Sequence, residues 1–473
     1  MKENISRFKI DYSVCKNSPG GSILEKVSNF QKELQLHEEN SLHIYVKSPM
    51  VSGCGREVEV VDRKTNEVKK MLMFGSNSYL DATGIPSVVE KAVRVITDYG
   101  VGSGGVPLLS GTTIFQNELE KEIAKLTGFD DTILFSSGFT ANIGVIVGLI
   151  RPNNLLVYDR LNHASLIDGA LMSGAKMVRY KHNDPKALEK ILKENAGQYK
   201  DGMMVVTDGV FSMDGDIADI PAILEITKKY NALLLIDDAH ATGVIGEDGA
   251  GTLSYYDIKE RENIIVTGTL SKAIGSIGGF ITAKQNIIDY LRVYARSNMY
   301  STSLPQSICA ASLEVIKEMR NTDIQNALKR NAEYVRNGLK ALGFNTLNSM
   351  TPIIPVIVGD EYILTQITKE LYDRDIFTNA IFPPVVPPNM CRIRIGVMSS
   401  HTFEDCDRLI NAFHEIGKNT DLSDKTAYFH TNNRRGSETF RIPSWTLIPQ
   451  NCLDNILSKY IDLLLKSRES LPW

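Results

Sequence analysis

The chain has 473 residues, 43% of them hydrophobic and 23% charged, with a formal net charge of −4. Such a length implies roughly two or three domains, and such a composition a globular protein with room for a large core. The charge excludes the strongly basic footprint of a nucleic-acid binder and a polybasic membrane patch. The longest apolar runs, such as 143-IGVIVGLI-150, are too short to span a bilayer, and the opening MKENISRFKIDYSV has no secretory pattern. Six scattered cysteines (15, 54, 309, 391, 406, 452) form no CxxC pair. That usage fits reduced thiols in a cytosolic protein better than a disulfide framework or a zinc site, so no metal is expected.

In chain order, the first 70 residues read as a helix and a short β-unit feeding a large domain over 71–324. The segment 86-PSVVEKAVRVITDY-99 has helical periodicity, and 118-ELEKEIAKL-126 has it too. Between them, 100-GVGSGG-105 fits the spacing of a dinucleotide loop. That fingerprint must follow a strand and open a helix; here it follows a helix and precedes the turn-like 106-VPLLSGTT-113. The glycines are better read as a loop that approaches a site. Apolar, β-branched runs then recur: 133-ILF-135, 155-LLVYD-159, 177-MVRY-180, 203-MMVVTD-208, 233-LLLID-237, 264-IIVTG-268 and 279-GFITA-283. Helical segments such as 221-PAILEITKKY-230 lie among them. This alternation predicts an α/β fold with a mostly parallel central sheet and helices on both faces. Residues 325–418, including 392-RIRIGV-397, read as a smaller C-terminal α+β domain. Residues 419–473 read as an extension with an amphipathic helix near 453–469.

Ligands of open α/β sheets bind beyond the carboxyl ends of the strands. Four elements fall there. After 133-ILF-135, the turn 136-SSGF-139 opens an apolar helix whose free N–H groups can hold phosphate, although an ordinary strand–helix connection looks the same. His163 follows 155-LLVYD-159; its flat ring can stack on a planar ligand or serve as a hydrogen-bonded structural histidine. Asp237 ends 233-LLLID-237 and can stay ionised opposite a cation, or merely cap a turn, with His240 three residues on. Lys272 follows 264-IIVTG-268 among small residues in 267-TGTLSKAIG-275. Most lysines are solvated, but a desolvated one there has a lowered pKa and can form a Schiff base with a carbonyl. Together the four supply an amine, an anion for a pyridinium nitrogen, a stacking ring and a phosphate cradle. That set matches what pyridoxal 5'-phosphate requires of its protein.

Over about residues 45–417 the sequence resembles the α-oxoamine synthases, fold-type-I pyridoxal-phosphate enzymes that condense an amino acid with an acyl-CoA. The resemblance is carried by 75-GSNSYL-80, 102-GSGGVPLLSGT-112, 136-SSGFTAN-142, 161-LNHAS-165, 207-TDGVFSMDGD-216, 237-DDAHATGVIGEDGAGT-252, 267-TGTLSKAIG-275, 300-YSTSLP-305 and 392-RIRIGVMSSHT-402. It implies that Lys272 holds the cofactor as an imine and later serves as acid and base. Asp237 would pair with the pyridine nitrogen, His163 would stack on the ring, and His240 and Ser212 would surround the phenolic oxygen. Ser137, Gly138, Phe139 and Thr269 would hold the phosphate, with Ser301 and Thr302 reaching it from a neighbouring subunit, which implies a homodimer with shared sites. Asn77 and Arg394 would hold the amino acid carboxylate, a task suited to the planar arginine fork. Two departures stand out: Pro107 where many members have arginine, and Gln116 where many have histidine. Within the family, 136-SSGF-139 and 300-YSTSLP-305 resemble the alanine-using 8-amino-7-oxononanoate synthases. The segments 207-TDGVFSMDGDIA-218 and 379-NAIFPPVVPPNMCRIRI-395 resemble glycine C-acetyltransferase, and 395-IGVMSSHT-402 some serine palmitoyltransferases. The alanine-using activity is the first expectation. An aminotransferase or a non-catalytic scaffold subunit is the alternative from another class. Against the first, aminotransferases commonly carry tyrosine where this chain has His240; against the second, Lys272, Asp237 and His163 are all retained.

Overall fold

The computed structural model describes residues 21–39, 49–62 and 65–419. Two units are distinguished, residues 1–43 with 421–473, and residues 44–420. The described part of the first is the helix Ile23–Glu39. The expected helix near 453–469 lies outside the described residues. No helix among the described residues is long and apolar enough to cross a membrane.

The second unit opens on a hairpin of β1 (Glu57–Val61) and β2 (Val68–Met73), antiparallel, with Val58 and Val60 turned into the core and their neighbours wet. Then come β3 (Asp131–Phe135), β4 (Leu155–Asp159), β5 (Lys176–Tyr180), β6 (Met203–Asp208), β7 (Leu233–Asp237), β8 (Ile264–Thr269) and β9 (Gly279–Ala283). They form one seven-stranded sheet in the order β3-β9-β8-β7-β6-β4-β5. Every pairing from β8 through β7, β6 and β4 to β5 is parallel, as the unbroken apolar runs predict.

Strand β9 alone runs against the rest, pairing antiparallel with both β8 and β3. The reason is length. Residues 270–278 are too few for the parallel crossover, which needs a dozen or more residues. Alternate residues feed two cores. Leu155, Val157, Val205, Leu234 and Ile236 pack against the helices Pro185–Asn195 and Ile220–Lys229 on one face. Leu156, Met204, Val206 and Leu235 pack against Gly138–Leu149, Ala164–Ser173 and Gln285–Tyr294 on the other.

A second sheet follows from β10 (Ile353–Ile357), β12 (Asn379–Ile381) and β13 (Arg392–Gly396), with β13 central and antiparallel to both neighbours. The short β11 (Ile376–Phe377) instead joins β2 in parallel, so late residues complete the sheet begun by the N-terminal hairpin. The glycine-rich stretch 100–105 follows the helix Pro86–Tyr99 and precedes one wide helical turn, Pro107–Gly111. It opens no helix after a strand, so a dinucleotide loop is excluded. Its glycines serve close approach: the Gly105 carbonyl accepts from the Ser303 N–H at 2.9 Å, and a Cβ on Gly111 would sit 2.2 Å from the Gly105 oxygen.

Candidate active site

The parallel register places one group per strand along the carboxyl edge. Asp208 of β6 stands opposite Asp237 of β7, and Asp237 opposite Thr267 of β8. Asp237 is 5% exposed. Its oxygens accept from the Ala239 N–H at 2.9 Å and from Asn142 Nδ2 at 2.6 Å. The adjacent Asp238 is consumed elsewhere by the Thr252 N–H and hydroxyl. Asp237, not Asp238, is the carboxylate whose charge acts on Lys272 and His163.

Lys272 lies in the loop between β8 and β9. Buried Leu270, Ala273 and Ile274 anchor that loop, and Leu270 bonds back to Gly278. Gly275, at φ +70°, takes a backbone shape that a side chain would strain. The small neighbours thus let the loop fold back tightly and hold the amine among protein groups. Burial lowers the Lys272 pKa to about 8 against the pull of Asp237 and Asp208, and Arg394 lowers it further. Desolvation thus keeps part of its population neutral near physiological pH.

The other side chains converge on the same amine. Burial, then Lys272 and Arg394, hold His240 well below the ordinary imidazole range. Burial and Lys272 lower His163 too, against the pull of Asp237. Asp208, pushed well above the carboxylate range by burial and by Asp237, accepts the His163 backbone N–H at 3.1 Å. Phe139 meets the His163 ring edge-on at 6.3 Å.

Ser137 caps the helix Gly138–Leu149 through a capping box with Thr140. The N–H groups of Gly138 and Phe139 make no hydrogen bond to the described residues, so they remain as a pair of donors at the positive helix end. A Cβ on Gly138 would come within 3.1 Å of Thr269 Cβ, so glycine keeps this cradle open against β8. The Thr269 hydroxyl bonds the Gly278 carbonyl at 2.9 Å and Ser271 Oγ at 2.8 Å. Ser271, which the sequence reading passed over, therefore brings a second hydroxyl to the cradle.

Arg394 comes from the second sheet, 3% exposed, and donates from Nε to the Ser212 carbonyl at 2.7 Å. Its Nη2 reaches the Tyr79 hydroxyl at 3.3 Å, while Nη1 bonds none of the described residues. Tyr79 was not legible as a site residue. Fully buried, its hydroxyl lies 2.8 Å from His240 Nδ1 and 3.3 Å from Asn77 Oδ1, so it ties together three residues that the sequence did single out. Ser301 and Thr302 stand apart. They line a small cavity with Pro107, Gln116, Ser136 and Ser303, and no hydrogen bond among the described residues joins them to Lys272, Asp237, His163 or His240. The two departures from the family pattern are thus neighbours of this segment. Gln116 is 2% exposed, and its Oε1 has no partner.

The loop that carries Ser212 is braced from behind. Arg392 binds Asp214 Oδ1 at 2.6 Å, and His182 bridges Asp159 at 3.0 Å and Asp216 at 3.1 Å. The ligand atoms of His182, Asp214 and Asp216 lie within 4.8 Å of one another; both His182 nitrogens and Asp214 Oδ1 are engaged in these bonds, while Asp216 Oδ1 is buried without a partner among the described residues. Burial opposes charge on His182, yet the two carboxylates outweigh it and raise the pKa to about 10. A raised histidine pKa contributes stability that is complete below the unfolded value of about 6.5 and is lost as pH rises toward the folded value. Thermal melts should therefore fall between pH 6.5 and 10 in the parent protein, and that slope should flatten in His182→Asn. The substitution itself should cost on the order of 3 kcal/mol, because it leaves buried Asp159 without its cation.

These residues fit pyridoxal phosphate: a neutralisable amine, a carboxylate at the strand edge, a ring beside them, and two unclaimed N–H donors at a helix start. Independent comparisons agree. The model of the family "Aminotransferase class I and II" matches residues 69–413. An 8-amino-7-oxononanoate synthase of Thermoanaerobacter pseudethanolicus is 38% identical over 395 residues, 83% of this chain and 98% of that protein. A serine palmitoyltransferase of Bacteriovorax stolpii is 36% identical over 426 residues, 89% of this chain and 99% of the relative. Among solved structures, a serine palmitoyltransferase of S. paucimobilis with bound PLP-myriocin aldimine superposes with a TM-score of 0.79 at 27% identity, covering 84% of this chain and 99% of its own. The amine, anion and phosphate cradle at one sheet edge, and relatives that match along nearly their whole length, establish that this chain belongs to the α-oxoamine synthase family of fold-type-I pyridoxal-phosphate enzymes.

Proposed function

We propose that the protein is a C-acyltransferase that joins the α-carbon of a small amino acid to the acyl group of an acyl-CoA, with release of CoA and, as in most of the family, of CO₂. The observation that carries this reading is the desolvated Lys272 amine facing Asp237, beside the unclaimed N–H groups of Gly138 and Phe139. Bound pyridoxal phosphate supplies an aldehyde for imine formation and a ring that delocalises negative charge developing at the substrate α-carbon. The protein groups do the rest. Lys272 Nζ, part-neutral, is the nucleophile and afterwards takes the Cα proton. Asp237 would pair with the pyridine nitrogen of the bound cofactor and favour its protonated state. Arg394 Nη1 and Asn77 Nδ2, neither bonded to a described residue, receive the substrate carboxylate. Tyr79 keeps His240 and Arg394 in register. Ser301 and Thr302 would reach the cofactor phosphate of a second copy, which would make the working unit a homodimer.

The substrate we favour is alanine, as in an 8-amino-7-oxononanoate synthase. One observation favours serine instead: the Bacteriovorax palmitoyltransferase matches a larger share of this chain, 89% against 83%. A matrix of alanine, glycine and serine against acyl-CoAs of increasing length, scored by free thiol release, tests both. The expected result is release with one amino acid at least about tenfold above the others, the discrimination of roughly 1–3 kcal/mol that a single methylene or hydroxyl supports. No thiol release with any pair, but keto-acid exchange instead, would replace acyl transfer by transamination.

A further inference from the structure

Asn142 sits one turn into the helix Gly138–Leu149, 2% exposed, and every polar atom of its side chain is bonded. Nδ2 donates to Asp237 Oδ2 at 2.6 Å and to Ser165 Oγ at 2.8 Å, while Oδ1 accepts from the Thr267 hydroxyl at 2.6 Å. The amide can take only this orientation. An ionised carboxylate accepts and never donates, so the nitrogen must face Asp237, and the Thr267 proton then fixes the oxygen. The consequence runs one step further. Ser165 Oγ accepts a hydrogen bond from Asn142, so its own O–H is free to donate to His163 Nδ1, 2.7 Å away. The Ser165 N–H points to the same Nδ1 at 3.3 Å. With two donors aimed at it, Nδ1 carries no proton, and the ring proton resides on Nε2.

We propose that Asn142 is a positioning residue that sets both halves of the cofactor pocket at once, orienting the Asp237 carboxylate as an acceptor and fixing His163 as the neutral Nε2–H tautomer. The inference rests on the pyridoxal-phosphate reading and deepens it. Its advantage is geometric. One buried amide, held by Thr267 from β8, sets the anion on β7 and the ring at the start of the helix Ala164–Ser173, two elements that share no other side-chain link among the bonds described. The charged groups facing the pair are Lys272, Asp208, Asp168, His240 and Arg394, and none of them is altered in the variants below.

The test uses full-length apoprotein titrated with pyridoxal phosphate. The dissociation constant and the pH midpoint of the bound chromophore's visible absorbance are read for three near-isosteric variants. Asn142→Leu should weaken binding by about tenfold or more, the usual effect of removing a partner that orients a liganding group, and should move the midpoint by about one unit. Ser165→Ala severs only the His163 arm, so binding should stay within about twofold while the midpoint moves by a smaller step. Thr267→Val frees the amide to turn and should change both readouts in the direction of Asn142→Leu, which keeps the proposal testable if the leucine variant does not fold. Parent-like binding and midpoint in Asn142→Leu, or in Thr267→Val where the leucine variant is lost, overturns the proposal. So does a Ser165→Ala variant that reproduces the whole effect. Parent protein that forms no borohydride-fixed adduct at Lys272 overturns instead the pyridoxal-phosphate reading beneath it.

Discussion

Lys272→Ala protein is expected to lose turnover by on the order of 10⁵-fold or more, because the substitution removes nucleophile and base together. The fold should survive. The loop is held by Leu270, Ala273, Ile274 and the bonds between Leu270 and Gly278, none of which involves the amine. Removing a buried cation also relieves a desolvation cost, so the melting temperature should hold or rise slightly. Binding of the phosphate group should persist in the cradle at Gly138 and Phe139, which separates loss of chemistry from loss of the site. The parent protein supplies the complementary measurement. With a pKa of about 8, roughly one amine in ten is neutral at pH 7. The rate at which apoprotein forms its imine with added pyridoxal phosphate should therefore rise as pH increases from 7 to 9 and level off above. A rate flat across that window, or parent-like turnover in the variant, would move the reactive amine elsewhere.

Asp237→Asn should reduce turnover by about 10²–10³-fold, the usual consequence of deleting one preorganised electrostatic partner of a developing charge. The substitution is nearly isosteric but neutral, so it removes the charge proposed to keep the pyridine nitrogen protonated. It also disturbs the local bonding. Asp237 now accepts from Asn142 Nδ2 on one oxygen and from the Ala239 N–H on the other. A carboxamide has only one oxygen, so one of those two donors is left without a partner at a cost of about 1–3 kcal/mol. The variant should therefore lose both activity and a few degrees of melting temperature. Lys272→Ala should lose only activity, and scanning calorimetry beside thiol release distinguishes the two patterns.

The main sheet was readable because burial on both faces demands near-continuous apolar strands, and β4, β6, β7 and β9 begin and end where the β-branched runs do. The direction of β9 was not readable from its composition. It follows from the short connection after β8, which only a turn and not a crossover can fill. The partnership of β11 with β2 escaped as well, since two residues carry no periodicity and their pairing is made across some 300 positions of chain.

The site divides in the same way. Lys272, Asp237, His163 and the 136-SSGF-139 turn could be named in advance because each follows an apolar strand, and strand ends of a parallel sheet share one edge. The residues proposed for the covalent chemistry were thus legible in the sequence alone. Tyr79, Asn142 and Ser271 could not be found that way. Tyrosine, asparagine and serine occur everywhere as ordinary core and turn residues, and only the folded chain reveals that Tyr79 joins His240, Asn77 and Arg394, or that Asn142 stands between Asp237 and Ser165. The tertiary structure decided which proton sits where, and its reason is physical: hydrogen-bond direction depends on tenths of an ångström between groups brought together from distant strands, a quantity that no local pattern of residues encodes.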